Sequence, residues 1–273
     1  MNIEKMIEEY TKMGYEYADA SSKVCQDILL LKISNSSFRE HITIKGGVVL
    51  HSISKNIRRA TRDLDLDFIK YSLEDDSIRK FVDKLNQVKD NIEISIIGSI
   101  KRLHHQDYDG KRVNIRLSDS YNNSINTKLD IGIHKQFDIE QDEYCFSFDI
   151  IGKHANLLIN SPEQILTEKL KSLLKLGFRS TRYKDLFDFY YLINIVGIDK
   201  KKVENCFNIL IFNDTKMKEN SITDIINRLN EILNSKRYFN MLNDPKVNWI
   251  NLPINEVVDN ILNYFKSLEV VKN

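Results

Sequence analysis

Two neighbouring stretches decide the fold, Lys45-Gly-Gly-Val-Val-Leu50 and Arg59-Ala-Thr-Arg-Asp-Leu-Asp-Leu-Asp67. The first begins in a β-branched run, halts at two glycines and resumes as an apolar helical pattern. That order predicts a strand, a tight turn and a helix N-terminus. The second alternates acidic and apolar residues, which predicts a strand with one face in the core. Its other face then carries Asp63, Asp65 and Asp67 together.

Three carboxylates on one strand face repel each other unless a cation lies against them. A divalent ion such as Mg²⁺ suits such a face, because it takes oxygen ligands and keeps positions for water or substrate phosphates. Asp130 is a candidate third partner, since it stands in an apolar strand pattern where an unpaired carboxylate is costly. The alternatives are a solvated acidic edge strand and, for Asp130, an acid bonded to a neighbouring lysine. An EF-hand loop is excluded, because Phe68 stands where that loop needs glycine.

The turn formed by Lys45, Gly46 and Gly47 is a candidate phosphate site. Glycines let phosphates approach the backbone, and the helix that begins near Val48 directs free N–H groups and its positive dipole end at them. A glycine pair before a helix is also found in ordinary turns, so the acidic strand downstream is what makes this one informative.

Outward from this centre, the chain changes character near residue 160. Helical spacing predicts helices in 2–34 and 73–88, and alternation predicts strands at 92–97, 112–117 and 126–133. From Ser161, Pro162 and Glu163, which form a helix-start signal, helical patterns follow to about residue 267. The predicted fold class is α+β, with a mixed-sheet half flanked by helices and an all-helical half. We expect an α/β domain at 1–158 and a helical domain at 159–273, packed around a shared cleft.

Composition narrows the class of protein. The 273 residues include 40 Lys+Arg and 39 Asp+Glu, a formal charge of +1 that excludes a histone-like polycation. The three cysteines are distant from one another, which is typical of structural thiols in a reducing compartment and not of a disulfide framework or a zinc cluster. No apolar run is long enough for a signal peptide or a membrane span, so we expect a cytoplasmic protein with no membrane partner.

These motifs resemble the AbiEii/AbiGii toxin family of nucleotidyltransferases, which belongs to the DNA-polymerase-β-like superfamily and to bacterial toxin–antitoxin and abortive-infection systems. The family pattern is GG, a helix, then R-x-T-x-D-[LI]-D-[LF]. Glu168-Lys-Leu170 and Arg182-Tyr-Lys-Asp185-Leu-Phe-Asp188 resemble its E-K-L and R-x-[KR]-D-x-x-D motifs. The resemblance covers roughly residues 40–195. It implies a polymerase-β-like fold, a nucleoside triphosphate substrate, one or two Mg²⁺ ions and an antitoxin encoded nearby.

The resemblance also implies roles for individual residues. The catalytic set is Asp63, Asp65, Asp130, Lys169 and Asp185, of which the first three are the metal ligands. The nucleotide-binding set is Lys45, Gly46, Gly47, Lys169, Arg182 and Asp188. By composition alone, a solvated helix face is the favoured interpretation of the charged residues in the helical motifs. One departure from the superfamily is Val48, which stands where Ser or Thr usually follows the glycines, so a hydroxyl contact to the triphosphate is missing.

A basic patch in the α/β half suggests the acceptor. Its members lie within sixteen residues, with His104 and His105 between them, and are Lys101, Arg102, Lys111, Arg112 and Arg116. Such a patch suits an RNA backbone, and the resemblance points to the 3′ end of tRNA, where transfer would block translation. The alternative is a solvated hairpin whose charges offset the acidic strand. Two other functions stay open, namely transfer to a protein hydroxyl and a catalytically weak nucleotide-binding module.

Overall fold

The computed structural model of the chain describes residues 1–103 and 110–269. The chain falls into two compact units, Met1–Asn160 and Ser161–Asn273. This division lies close to the boundary expected from the change of sequence pattern at Ser161.

The first unit is built on a mixed sheet with helices. Its α-helices are α1 (Ile3–Lys12), α2 (Tyr17–Ser34), α3 (Gly47–Ser54) and α4 (Asp75–Asn86). Its strands are β1 (Ile42–Lys45), β2 (Leu64–Phe68), β3 (Ile92–Ile96), β4 (Lys101–Leu103), β5 (Gly110–Asp119), β6 (Ser124–Ile133), β7 (Gln141–Phe148) and β8 (Lys153–Asn160). The mixed α/β character expected from the sequence is confirmed.

The strands form one sheet in the order β3-β5-β6-β2-β1-β8-β7, with β4 paired to β5. The acidic strand β2 lies inside this sheet, antiparallel to β1 and parallel to β6. The interpretation of β2 as a solvated edge strand is therefore wrong. Its backbone is hydrogen-bonded on both sides, so its carboxylates need another explanation than edge protection.

Side chains alternate between a buried and a solvated face along the middle strands. Val113, Ile115 and Leu117 of β5 are fully buried, whereas Arg116 between them is exposed. Helix α2 packs against β6 and β8, and α4 packs against β3. The apolar face of the sheet is thus the core of the first unit, and the polar face carries the acidic residues of β2.

The second unit contributes α5 (Pro162–Leu176), α6 (Lys184–Tyr191), α7 (Lys200–Phe207), α8 (Ile222–Leu233), α9 (Lys236–Leu242) and α10 (Ile254–Glu269). The predicted helix start is confirmed, since the Ser161 hydroxyl accepts a hydrogen bond from the backbone N–H of Gln164 and Pro162 is the first helical residue. Helices α6 and α7 each continue as a short π-helical segment, Leu192–Val196 and Asn208–Phe212.

Four elements have no clear counterpart in the sequence pattern, namely β4, β7, β8 and α9. Strand β7 is an edge strand of the sheet and pairs with β8. It carries Cys145, which is exposed, while Cys25 and Cys206 are buried. No helix of the described part of the chain combines the length and the apolar character that a membrane span requires.

Candidate active site

The glycine turn touches the acidic strand directly. Gly46 has a φ of +70° and a ψ of −137°, a conformation that only glycine adopts readily. A Cβ atom at Gly46 would lie 3.0 Å from Asp65 Oδ2, and one at Gly47 would lie 2.8 Å from Thr61 Oγ1. Both glycines are therefore needed for close approach, one to a carboxylate and the other to a hydroxyl. The amide of Gln26 holds this segment by donating to the Thr61 carbonyl.

Strand register sets the carboxylates in a row across the sheet. Asp65 pairs with Lys45 of β1 on one side and with Asp130 of β6 on the other. Asp130 in turn pairs with Arg112 of β5. Because paired residues of neighbouring strands lie on the same face, Asp65 and Asp130 are adjacent on the polar face of the sheet.

Two carboxylates of the expected metal set are bonded to basic side chains. Arg112 donates to both oxygens of Asp130, from Nε at 2.7 Å and from an Nη at 2.6 Å. The bonds to Asp130 hold the pKa of the Arg112 guanidinium above its ordinary value. Lys128 Nζ lies 2.7 Å from Asp63 at a largely solvated position. Asp130 thus has an arginine partner where the sequence alternative named a lysine.

The Lys45 side chain, which the sequence assigned to the nucleotide-binding set, is directed at the acidic strand. Its side chain is buried and its Nζ donates to Asp67 Oδ1 at 2.6 Å. A buried ion pair of this kind neutralises Asp67, for which the family resemblance implied no role. In this structure Lys45 is a structural counter-ion of the acidic strand, while the backbone of Gly46 and Gly47 forms the surface of the turn.

The donor set suits a divalent cation in kind. Asp65 and Asp130 offer hard carboxylate oxygens side by side, and Asp63 lies two residues before Asp65, directly ahead of β2. Within residues 1–103 and 110–269, however, no three His, Cys, Asp or Glu side chains are grouped as metal ligands. Asp63 and Asp130 are instead directed at Lys128 and Arg112, so the expected three-carboxylate set is present in sequence but divided between cationic partners.

The expected RNA patch lies on two faces of the sheet. Lys101 pairs in register with Arg112, and both share the face of Asp130, as does Arg116 by alternation along β5. Lys111 pairs with Arg102 on the opposite face, where Lys111 also bonds Asp75 of α4. His104 and His105 lie outside the described residues. The patch is therefore not one continuous surface, and the alternative of charges that offset the acidic strand holds for Arg112.

In the second unit, the charged residues of the helical motifs form a buried cluster. Lys169 Nζ lies 2.6 Å from Asp185 Oδ1 and 3.0 Å from Asp188 Oδ2. All three side chains are buried, so the interpretation as a solvated helix face is wrong for them. Arg182 Nε donates to the second oxygen of Asp185 at 2.6 Å. The two carboxylates hold the Lys169 ammonium group in one position, and with Arg182 the formal charges of the cluster sum to zero.

Trp249 and Tyr238 belong to the helical half but to none of the motifs, whereas Thr61 and Val48 come from the motifs of the first unit. Trp249 donates from Nε1 to Asp188 at 3.1 Å across 61 residues. The Tyr238 hydroxyl is fully buried and finds no hydrogen-bond partner among the described residues. Burial raises the pKa of Tyr238 above its usual range. Thr61, from the R-x-T motif, sets a hydroxyl beside the turn. Val48 itself is buried in the core, 2% exposed.

The comparison with protein families identifies the class to which this fold and site belong. A family model described as the nucleotidyl transferase AbiEii toxin of a type IV toxin–antitoxin system matches residues 28–250. This match covers well over half of the chain and includes both clusters, so the protein belongs to the AbiEii nucleotidyltransferase toxin family. A search among curated proteins finds no match.

Proposed function

We propose that the protein transfers a nucleoside monophosphate from a nucleoside triphosphate to an RNA acceptor, the 3′ end of tRNA, in a Mg²⁺-dependent reaction. The observation that carries this proposal is the contact of the Gly46 turn with Asp65, which is itself paired with Asp130. A backbone anion site and two adjacent carboxylates are thereby brought to one point of the sheet. Membership of a toxin–antitoxin family implies an antitoxin partner, which we expect to be encoded nearby.

In this proposal the backbone N–H groups at the start of α3 bind the triphosphate, and Thr61 supplies the hydroxyl that Val48 lacks. Asp65 and Asp130, with Asp63, would hold Mg²⁺, which supplies charge neutralisation on the transferred phosphate. The acceptor hydroxyl oxygen bonds to the α-phosphorus as the bond to the β-phosphate oxygen breaks, and pyrophosphate leaves. The proton of the hydroxyl passes to a carboxylate of the acidic set.

Lys169 is the second requirement of the proposal. Asp185 and Asp188 fix its ammonium group, and Trp249 fixes Asp188 in turn. A cation held in this way needs no reorganisation when charge develops on a phosphate, which is where electrostatic stabilisation has its largest effect. Arg182, exposed on one side and bonded to Asp185 on the other, supplies a further positive charge to the same cluster.

The test is a labelling reaction with purified protein, Mg²⁺, total tRNA and each of the four α-³²P-labelled nucleoside triphosphates, resolved on a denaturing gel. We expect label at tRNA size from one triphosphate. Oxidation of the tRNA 3′ ribose with periodate removes the acceptor hydroxyls and should abolish the label. The variant Asp65→Asn should abolish it as well, whereas Asp83→Asn, the same change at an exposed position of α4, should not.

Other outcomes would replace the proposal. Label on a protein band with dark RNA would assign the acceptor to a protein hydroxyl. Label that survives periodate treatment would exclude the 3′ end. No label from any triphosphate, together with measurable triphosphate binding, would favour a nucleotide-binding module.

A further inference from the structure

Arg112 and Lys128 occupy oxygens that the proposed function assigns to a metal ion. Arg112 takes both oxygens of Asp130, and Lys128 takes one oxygen of Asp63. A divalent cation and a basic side chain compete for the negative charge of one carboxylate, because each neutralises the charge that attracts the other. These two pairs therefore bear directly on how the carboxylates bind metal.

Both basic side chains can reach solvent from where they stand. The side chain of Arg112 is 37% exposed and that of Lys128 is 40% exposed, whereas that of Asp130 is only 8% exposed. A guanidinium that gives up its carboxylate partner at such a position can turn to an anion from solution. The Asp130 carboxylate has little space in which to move, since its side chain is almost completely buried.

The strand order places the glycine turn and the two basic side chains on opposite sides of the Asp65–Asp130 pair. In the order β5-β6-β2-β1, the glycine turn follows β1 on one flank of the Asp65–Asp130 pair, and Arg112 lies on β5 at the other flank. Lys128 lies on β6 beside the residues of β5. The polar face continues away from the carboxylates to Arg116, which bonds the exposed Asn126 at 3.1 Å. The flank opposite the turn is thus a row of hydrogen-bond donors on the polar face of the sheet.

We propose that Arg112 and Lys128 are exchangeable counter-ions that hold the metal-binding carboxylates and, when a divalent cation takes those carboxylates, bind the phosphate backbone of the acceptor RNA. This inference rests on the proposed function and adds to it the side from which the acceptor enters. The turn at Gly46 and Gly47 serves the triphosphate, and the β5–β6 flank serves the RNA. Metal binding and RNA binding are coupled, because Arg112 and Lys128 become available to RNA phosphates only when the metal ion takes their carboxylate partners.

The coupling predicts opposite effects of one substitution on two ligands. Binding of Mn²⁺, followed by the electron paramagnetic resonance signal of the free ion at pH 8, should become about tenfold tighter in Arg112→Gln, since a bidentate charged competitor is removed. In Lys128→Gln it should become about twofold tighter, because that pair is more solvated. Binding of labelled tRNA in saturating Mg²⁺ should weaken about tenfold in Arg112→Gln, with a salt dependence reduced by about one ion. Triphosphate affinity, measured by calorimetry, should stay unchanged.

Several control variants accompany these changes. Arg79→Gln and Lys80→Gln make the same substitutions at exposed positions of α4 and should alter neither ligand. Arg116→Gln, whose partner is an amide, should weaken tRNA binding and leave Mn²⁺ affinity alone. Arg112→Lys keeps the charge and removes the bidentate geometry, so it should give an intermediate Mn²⁺ affinity. Thermal unfolding identifies any variant whose fold is damaged. If Arg112→Gln is such a variant, the Mn²⁺ affinity of Arg112→Lys tests the counter-ion role in its place.

The outcomes separate this inference from the function on which it rests. Unchanged or weaker Mn²⁺ binding in Arg112→Gln would overturn the counter-ion role. Loss of triphosphate affinity in place of tRNA affinity would overturn the assignment of the RNA to this flank. If wild-type protein binds no Mn²⁺, or Asp65→Asn binds it equally well, the proposed metal site is wrong and the inference falls with it. Tight Mn²⁺ binding that depends on Asp65 sustains the metal site whatever Arg112 does.

Discussion

At the scale of single residues, Gly46 combines a backbone conformation that favours glycine with close contact to a proposed metal ligand, Asp65. Its backbone lies in a region that is costly for any residue with a Cβ, and the space for that Cβ is taken by Asp65. Gly152 offers a natural comparison, because it also has a positive φ, +66°, yet nothing lies within 4 Å of its ideal Cβ.

We therefore expect Gly46→Ala to reduce label transfer by at least about a hundredfold, since it displaces Asp65. Its free energy of unfolding should fall by about 2 kcal/mol, against about 1 kcal/mol for Gly152→Ala, which carries backbone strain alone. Urea unfolding and the labelling assay measure the two quantities. Equal loss of activity in both variants would show that the contact with Asp65 does not matter.

His51 of α3 gives a residue-scale prediction for pH. Burial, and then the charges of Lys23 and Arg59, lower its pKa from 6.5 to about 3. Because the folded pKa lies below the unfolded one, its contribution to stability is complete above pH 6.5 and is lost as the pH falls toward 3. At pH 4.5 the loss is about 3 kcal/mol. Urea unfolding of wild type and His51→Gln at pH 7.5 and 4.5 checks this: the difference between the proteins should shrink on acidification, and a constant difference would contradict the shift.

At the scale of elements, α4 is joined to α2 by a buried charge. Lys32 is fully buried, with Nζ 2.7 Å from Asp90 and within 3.4 Å of the carbonyls of Leu85 and Val88. It therefore supplies the missing donors at the C-terminal end of α4.

Lys32→Met should lower the free energy of unfolding by about 3 kcal/mol, since it leaves a carboxylate and two carbonyls without their cation. Lys80→Met on the exposed side of α4 is the control and should change stability by less than about 0.5 kcal/mol. The urea concentrations at the midpoint of unfolding, measured for variants with the same dependence of unfolding free energy on urea, give the difference in stability. A small effect of Lys32→Met would mean that water replaces the ammonium group.

Elements were predictable where their signal is local. The strand–turn–helix pattern at Lys45 and the alternation around Asp65 each span a few consecutive residues. These local patterns are sufficient to predict β1, α3 and β2. Strand β7, Gln141–Phe148, alternates only over Tyr144–Phe148, because its first three residues are all polar or charged, and this stretch is too short to predict a strand by itself. The Asp65–Asp130 pairing is expected from chemistry, but the bond from Arg112 depends on the register of the β5–β6 hairpin, which no local pattern specifies.

At the scale of the whole molecule, charged side chains of the two units form separate clusters with different contents. The first unit holds the carboxylates of Asp65 and Asp130, and the second holds Lys169 between two carboxylates. This division predicts that metal binding and transfer can be lost independently.

Lys169→Arg should leave Mn²⁺ affinity within about twofold of wild type and lower label transfer by about a hundredfold, since the point charge is replaced by a larger planar group. Asp65→Asn should lose both. Lys201→Arg, an exposed position of α7, serves as the control. Equal transfer by Lys169→Arg and wild type would remove Lys169 from the reaction.

The three cysteine thiols differ in exposure, so one of them can be labelled selectively. Burial raises the pKa of Cys25 and of Cys206 to about 12, so neither is a thiolate near neutral pH. Cys145 is exposed on the edge strand β7, and a maleimide dye should attach there alone. The wild-type chain is thus ready for single-site fluorescent labelling without prior removal of cysteines. A reporter on β7 would follow the binding of the antitoxin in real time.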